Sequence, residues 1–236
     1  MSTTTSVRRL LLFDIDGTLM VTRGSGLRAM RAAMQQIFAL ETPPVPIQPH
    51  GKTDPILFEE LATAYGLPFE RLWESMEDLQ RVYATHLEIL LREDNLIEVK
   101  PGVMEVLDAL KGRAEVSLGL VTGNLQRTAW LKLEAANLAS YFLTGGFGSD
   151  ARQREGLVEN ALRRFKAQGV ECERQATWVI GDTPDDVRSG RSHGTRTLAV
   201  ATGSHDLDSL RNSEPDLALQ DFSESDRVVD VLCGVA

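Results

Sequence analysis

Leu10-Leu11-Leu12-Phe13-Asp14-Ile15-Asp16-Gly17-Thr18-Leu19 sets four consecutive apolar residues directly before a pair of aspartates. A short, continuous apolar run predicts a strand buried on both faces, and the polar residues after it predict a turn at its carboxyl end. Three further runs share the pattern: 116–121 (VSLGLV), 177–180 (TWVI) and 197–200 (TLAV). Helical patterns fall between them. Pro101 and Gly102 introduce Val103, Val106, Leu107 and Leu110 at helical spacing, and Leu157, Val158, Ala161, Leu162 and Phe165 form a second apolar stripe. Strands alternating with helices predict a doubly wound, Rossmann-like α/β core built on a parallel sheet.

Between the first run and Pro101 the periodicity changes. From about Gly24 to Glu98 it is helical, with no convincing strand, so an all-helical insert over residues 22–98 is expected within a core of residues 1–21 and 99–236. Leu27, Met30, Met34, Ile37 and Phe38 make one stripe, and Pro68 to Arg92 predicts a long helix or a broken pair in which Trp73 and Tyr83 pack inward. A proline-rich stretch, Thr42 to Pro49, leads into Gly51-Lys52-Thr53-Asp54 and a shorter helix through Phe58 and Leu61. Gly24-Ser25-Gly26 lacks the preceding strand of a phosphate loop and reads as a hinge or helix start.

The net charge of −9 opposes a polyanion, so nucleic acid is not expected as a main partner. No segment is long and apolar enough for a membrane span, and membrane is likewise not expected. Cys172 and Cys233 form no CxxC or Cys/His cluster, and His50, His86, His193 and His205 show no metal-binding spacing. These features fit a reduced cytoplasmic setting.

In open α/β sheets, ligands bind beyond the carboxyl ends of the strands. The first run leads there into Asp14 and Asp16, the second into Thr122-Gly123-Asn124, and the third into Gly181-Asp182-Thr183-Pro184-Asp185-Asp186. Parallel strands would bring these distant groups to one edge. In that order DIDGTL, VTGN and GDTPDD resemble the signature motifs of haloacid dehalogenase superfamily phosphatases. The resemblance covers essentially the whole chain, because the insert is similar to that family's small α-helical cap. Gly51-Lys52-Thr53-Asp54 resembles the cap loop of phosphoglycolate phosphatase-like members. What the resemblance implies is a Mg²⁺-dependent phosphatase acting on a small phosphorylated metabolite, with phosphoglycolate among the candidates.

The chemistry of the residues agrees. Carboxylates gathered around a phosphate repel, since two unit charges ~4 Å apart at an effective dielectric of ~20 interact by roughly 4 kcal/mol, so a cation is required. An oxygen donor set such as Asp14, Asp182 and a backbone carbonyl suits Mg²⁺, and by resemblance that carbonyl belongs to Asp16. The family further implies that Asp14 is the nucleophile and that Asp16 protonates the leaving oxygen, then deprotonates the attacking water. Thr122, the Gly123 N–H and the adjoining Asn124 would hold phosphoryl oxygens. Asp186, and with it Asp185, would support the metal ligands. Lys52 would meet a second anionic group of the substrate.

The family also expects a Lys or Arg beside phosphorus, and the usual Lys-Pro after the second motif is missing here. Arg152 and Arg154 are the candidates. Arg154 precedes Leu157 by three residues and Val158 by four, on the stripe that faces the sheet, while Arg152 is turned roughly 200° away, so Arg154 is expected to serve. The competing readings are a sugar phosphomutase, a phosphonatase using Lys52 as its Schiff-base lysine, and a non-catalytic phosphate-binding protein.

Overall fold

Six parallel strands form the main sheet in the computed structural model, which describes residues 8–40, 46–92 and 96–234. At its centre β1 (Arg9–Phe13) lies between β4 (Val116–Thr122) and β6 (Thr177–Gly181). β5 (Gly145–Phe147) extends the sheet beyond β4, while β7 (Arg196–Val200) and β8 (Leu217–Leu219) extend it beyond β6. The expected parallel α/β sheet is therefore present. Phe13 lies opposite Leu120 on one side and Ile180 on the other, so the three central strands end nearly level.

Alternation along β1 explains why its run is apolar throughout. Leu11 and Phe13 point to one face, where they join Leu107, Leu133, Ile180 and Val228 in a cluster roofed by α5 (Val103–Leu110), α6 (Gln126–Ala135) and α10 (Ser225–Cys233). Leu10 and Leu12 point to the other, against Leu157, Val158, Ala161 and Phe165 of α7 (Glu155–Ala167). On that side α8 (Pro184–Ser192) and α9 (Leu207–Arg211) continue the layer through Val187 and Leu210. A strand covered on both faces has no polar positions to spare.

Between β2 (Met20–Val21) and β3 (Glu98–Val99), which pair as a short antiparallel ribbon, lie four helices. They are α1 (Ser25–Phe38), α2 (Asp54–Ala64), α3 (Phe69–Glu74) and α4 (Met76–Leu91). Their apolar faces share a cluster of their own, through Met30, Met34, Phe58, Leu61, Tyr83 and Leu87. The stretch from Pro68 to Arg92 is a broken pair, interrupted at Ser75. Tyr83 is buried with its ring 5.7 Å from that of Phe58, edge to face, whereas Trp73 is 45% exposed and does not pack inward as expected. The proline-rich stretch 42–49 lies partly outside the described residues.

Candidate active site

The carboxyl ends of β1, β4 and β6 open into a cavity of about 530 Å³. Asp14, Thr122, Arg154 and Asp182 line it from the sheet side, and Leu27 and Leu57 face them from the insert. Its floor gathers three buried carboxylates, because Asp14, Asp182 and Asp186 each place an oxygen within 4.8 Å of the others. Burial raises the Asp14 carboxyl above the usual carboxylate range; Arg154 opposes the rise, while Asp186 and Asp16 add to it. Burial likewise raises Asp182, with Asp14 and Asp186 adding to the effect.

Each member of the cluster has a different set of partners. The Arg154 guanidinium lies 3.0 Å from Asp14 Oδ1 and donates through Nε to Asp186 Oδ1 at 2.9 Å, with Nη2 on the same oxygen. Burial works against the Arg154 charge, yet Asp186 and Asp14 together hold it further above its ordinary value. The second oxygen of Asp186 accepts from the Thr183 N–H at 3.1 Å and the Thr183 hydroxyl at 2.6 Å, closing a capping box at the start of α8. Asp182 Oδ1 accepts from the Thr18 hydroxyl at 2.9 Å. Its Oδ2 is buried and has no hydrogen-bond partner among the described residues.

These observations test whether a divalent ion fits. Three carboxylates against one guanidinium leave an excess of negative charge, and a buried carboxylate oxygen without a partner is costly. Asp186 is already saturated by Arg154 and Thr183, so Asp14 and Asp182 carry the free oxygens. An all-oxygen donor set of this kind fits a hard divalent cation.

Beside the cluster stands a second, neutral assembly. Lys132 of α6 donates to Asp16 Oδ1 at 2.8 Å, to Asp16 Oδ2 at 2.6 Å and to Asn124 Oδ1 at 2.7 Å. Asn124 Nδ2 in turn reaches Asp16 Oδ2 at 2.6 Å and the Thr122 hydroxyl at 2.8 Å.

The insert is stitched to this edge of the sheet. Asp54 N–H donates to the Gly123 carbonyl at 2.7 Å, and the Thr53 hydroxyl donates to the Arg152 carbonyl at 2.6 Å. The Asp54 carboxylate accepts from the buried Leu125 N–H at 2.9 Å, at the N-cap of α6. Burial pushes Asp54 up to about 6 despite the opposing charge of Lys132. Gly123 has to be glycine at this seam, because a Cβ there would collide with the Lys52 carbonyl oxygen.

A family model described as haloacid dehalogenase-like hydrolase matches residues 9–194, which spans the three carboxylates, Arg154, Lys132 and the whole insert. The chain belongs to the haloacid dehalogenase-like hydrolase family. A relative named pyrophosphatase PpaX, from Oceanobacillus iheyensis, is 27% identical over 92% of this chain and 94% of its own length. Phosphoglycolate phosphatase 1 of Pseudomonas aeruginosa is 26% identical over 93% of this chain and 79% of its own. The crystal structure of a hydrolase from Pseudomonas syringae superposes with a TM-score of 0.69 at 19% identity, covering 95% of this chain and 99% of that one. This haloacid dehalogenase-like hydrolase is thus an enzyme, of the phosphatase kind.

Most residues singled out from sequence meet in the cavity of this hydrolase, and some do not. Asp14, Asp16, Thr122, Gly123, Asn124, Arg154 and Asp182 line it, with Asp186 directly behind. Asp185 is elsewhere, since it pairs with Arg188 one turn along α8 and is not part of the carboxylate cluster. Lys52 lines the cavity, but its ammonium is held by both oxygens of Glu60, at 2.7 and 2.9 Å, rather than left for a ligand. Arg152 lies in the bend before α7, outside any helix, and turns to Glu59 of the insert. Two residues escaped the sequence reading. Lys132 lies with Thr128, Ala129 and Leu133 on the inward face of α6, a placement that only the folded chain reveals. Asp54 stood in the sequence only as the last residue of the Gly51-Lys52-Thr53-Asp54 loop, and the structure makes it the first residue of α2, with Pro55 after it.

Proposed function

We propose that this phosphatase is Mg²⁺-dependent and hydrolyses a small phosphorylated metabolite through a covalent aspartyl phosphate on Asp14. The observation that carries the reading is the Asp14, Asp182 and Asp186 cluster with a single guanidinium and an unpartnered Asp182 oxygen. Side-chain oxygens of Asp14 and Asp182, with the main-chain carbonyl of Asp16, would hold the ion. Bound there, Mg²⁺ supplies charge neutralisation that lets an anionic phosphoryl group approach anionic carboxylates.

The chain's own residues then divide the work. An Asp14 oxygen attacks phosphorus as the bond to the leaving oxygen breaks, and Asp16 gives that oxygen a proton. Asp16 next takes a proton from water, whose oxygen attacks the same phosphorus and releases Asp14. Arg154, Thr122 and the Gly123 N–H stabilise the equatorial oxygens. We further propose that residues 22–98 act as a cap over a core of 1–21 and 99–236, excluding water while the acyl phosphate exists. A Schiff-base role for Lys52 gains no support, because its amine is tied to Glu60.

The names of the relatives make inorganic pyrophosphate and phosphoglycolate the first substrates to try. The test is phosphate release from these and a wider panel of phosphomonoesters, with and without Mg²⁺. Turnover that needs Mg²⁺ and vanishes in Asp14→Asn is the expected result. Full activity in EDTA, or in Asp14→Asn, overturns the mechanism.

A further inference from the structure

We propose that Lys132 is a positioning residue for Asp16, fixing the direction of the carboxylate that passes protons to and from the reacting oxygens. The inference rests on the role given to Asp16 above and adds to it a residue from a different part of the chain. Lys132 lies on the inward face of α6, and its side chain is only 5% exposed. Lysine in that position is unusual, since burial strips its hydration and immobilises a long, flexible side chain.

The hydrogen bonds show what the buried ammonium holds. Its three donors meet three acceptors, two of them the oxygens of Asp16 and the third Asn124 Oδ1. Asn124 closes the ring by donating to Asp16 Oδ2 and ties it to Thr122. Asp16 is thereby gripped from behind by two side chains, while 40% of its own side chain stays open and faces the cavity. A free aspartate at a turn would rotate among staggered positions. Held this way, Asp16 points one edge at the place where the leaving oxygen and the water must sit, and misplacement by about 1 Å at such a position costs on the order of 100-fold in rate.

A residue that acts through Asp16 leaves a signature that a merely stabilising lysine does not. An alkyl phosphate needs a proton on its departing oxygen, whereas 2,4-dinitrophenyl phosphate has a leaving group stable as the anion. Single-turnover release of each alcohol is measured for wild type, Lys132→Met and Lys132→Arg, with Mg²⁺ present. Lys132→Met is expected to slow the alkyl ester about 100-fold and the dinitrophenyl ester less than about 5-fold, with Lys132→Arg recovering part of the loss. In an Asp16→Asn background, Lys132→Met is expected to add nothing. Equal losses on both esters, or a full further loss on top of Asp16→Asn, overturn the proposal. If Lys132→Met does not fold, Lys132→Gln is read on the same pair with the same two outcomes. Wild type inactive on both esters overturns the phosphatase mechanism and this role with it, while active wild type with uniform losses overturns the role alone.

Discussion

The floor of the cavity has two halves, one with unbalanced negative charge and one that is neutral. In one, a single guanidinium pairs with Asp14 and Asp186 beside Asp182, and a buried oxygen of Asp182 has no partner among the described residues. In the other, Asp16 meets one ammonium group, and every donor of that ammonium is used. The first half is costly as it stands and would be relieved by an incoming cation. The second is already organised around one side chain. The proposed mechanism, which must both attract a phosphate and time a proton transfer, would need both conditions, and here they are separated by one residue of β1's continuation, Ile15.

The sharpest way to break the comparison is to remove cationic charge from the unbalanced half. Arg154→Ala is expected to lower kcat by about 100-fold or more, while Arg152→Ala, two residues earlier and paired with Glu59, changes it by less than about 3-fold. Steady-state kinetics at saturating Mg²⁺ decide it, and equal losses would refute the assignment. Next in size is the effect of the cation itself. Mg²⁺ at ~100 times its Kd is expected to raise the melting temperature by roughly 5–10 °C, and Asp182→Asn to abolish the increase. A Mg²⁺ shift that survives in Asp182→Asn would move the ion to another site.

Smaller, and sharpening the boundary between the halves, is the behaviour of Asp54. Its folded value of about 6 lies above the ordinary carboxylate range near 3.9, so its contribution to stability is greatest below that range and is lost as pH rises through 6. Asn imitates the protonated form and keeps an acceptor for the Leu125 N–H. The stability of Asp54→Asn relative to wild type is therefore expected to rise between pH 4.5 and pH 7.5, read as the difference in urea midpoints. A difference independent of pH would mean that Asp54 is not strained by its burial. Least is expected of Lys52→Met, which should shift KM for carboxylated substrates by less than about 3-fold, because Glu60 already occupies the ammonium. A large selective rise in KM would show that substrate displaces Glu60.

Legibility from sequence followed the physics of burial. β1, β4, β6 and β7 announced themselves because a strand covered on both faces must be apolar throughout. β5 did not, because two of its three residues are glycine, which by propensity signals a turn. Gly146 is nevertheless required, since a Cβ there would collide with the Leu157 carbonyl of α7. The two-residue strands of the ribbon are too short for any periodicity to register. In the site, the aspartates were readable because they follow strands directly, and Arg154 because it stands at the N-cap of α7, three and four residues before Leu157 and Val158. Lys132 and Asp54 were not, since both owe their meaning to partners on other elements: Asp16 lies 116 residues before Lys132, and Leu125 lies 71 residues after Asp54.

The bond from Thr18 to Asp182 spans 164 residues of chain. On a ribosome, the first of these groups is made long before the second, and β1 must wait for β6 before one side of it has any neighbour at all. No truncated product ending before Asp182 has the carboxylate cluster, so the appearance of activity during synthesis marks the moment when the central strands have come together, and turnover can serve as a clock for that late, entropically demanding closure.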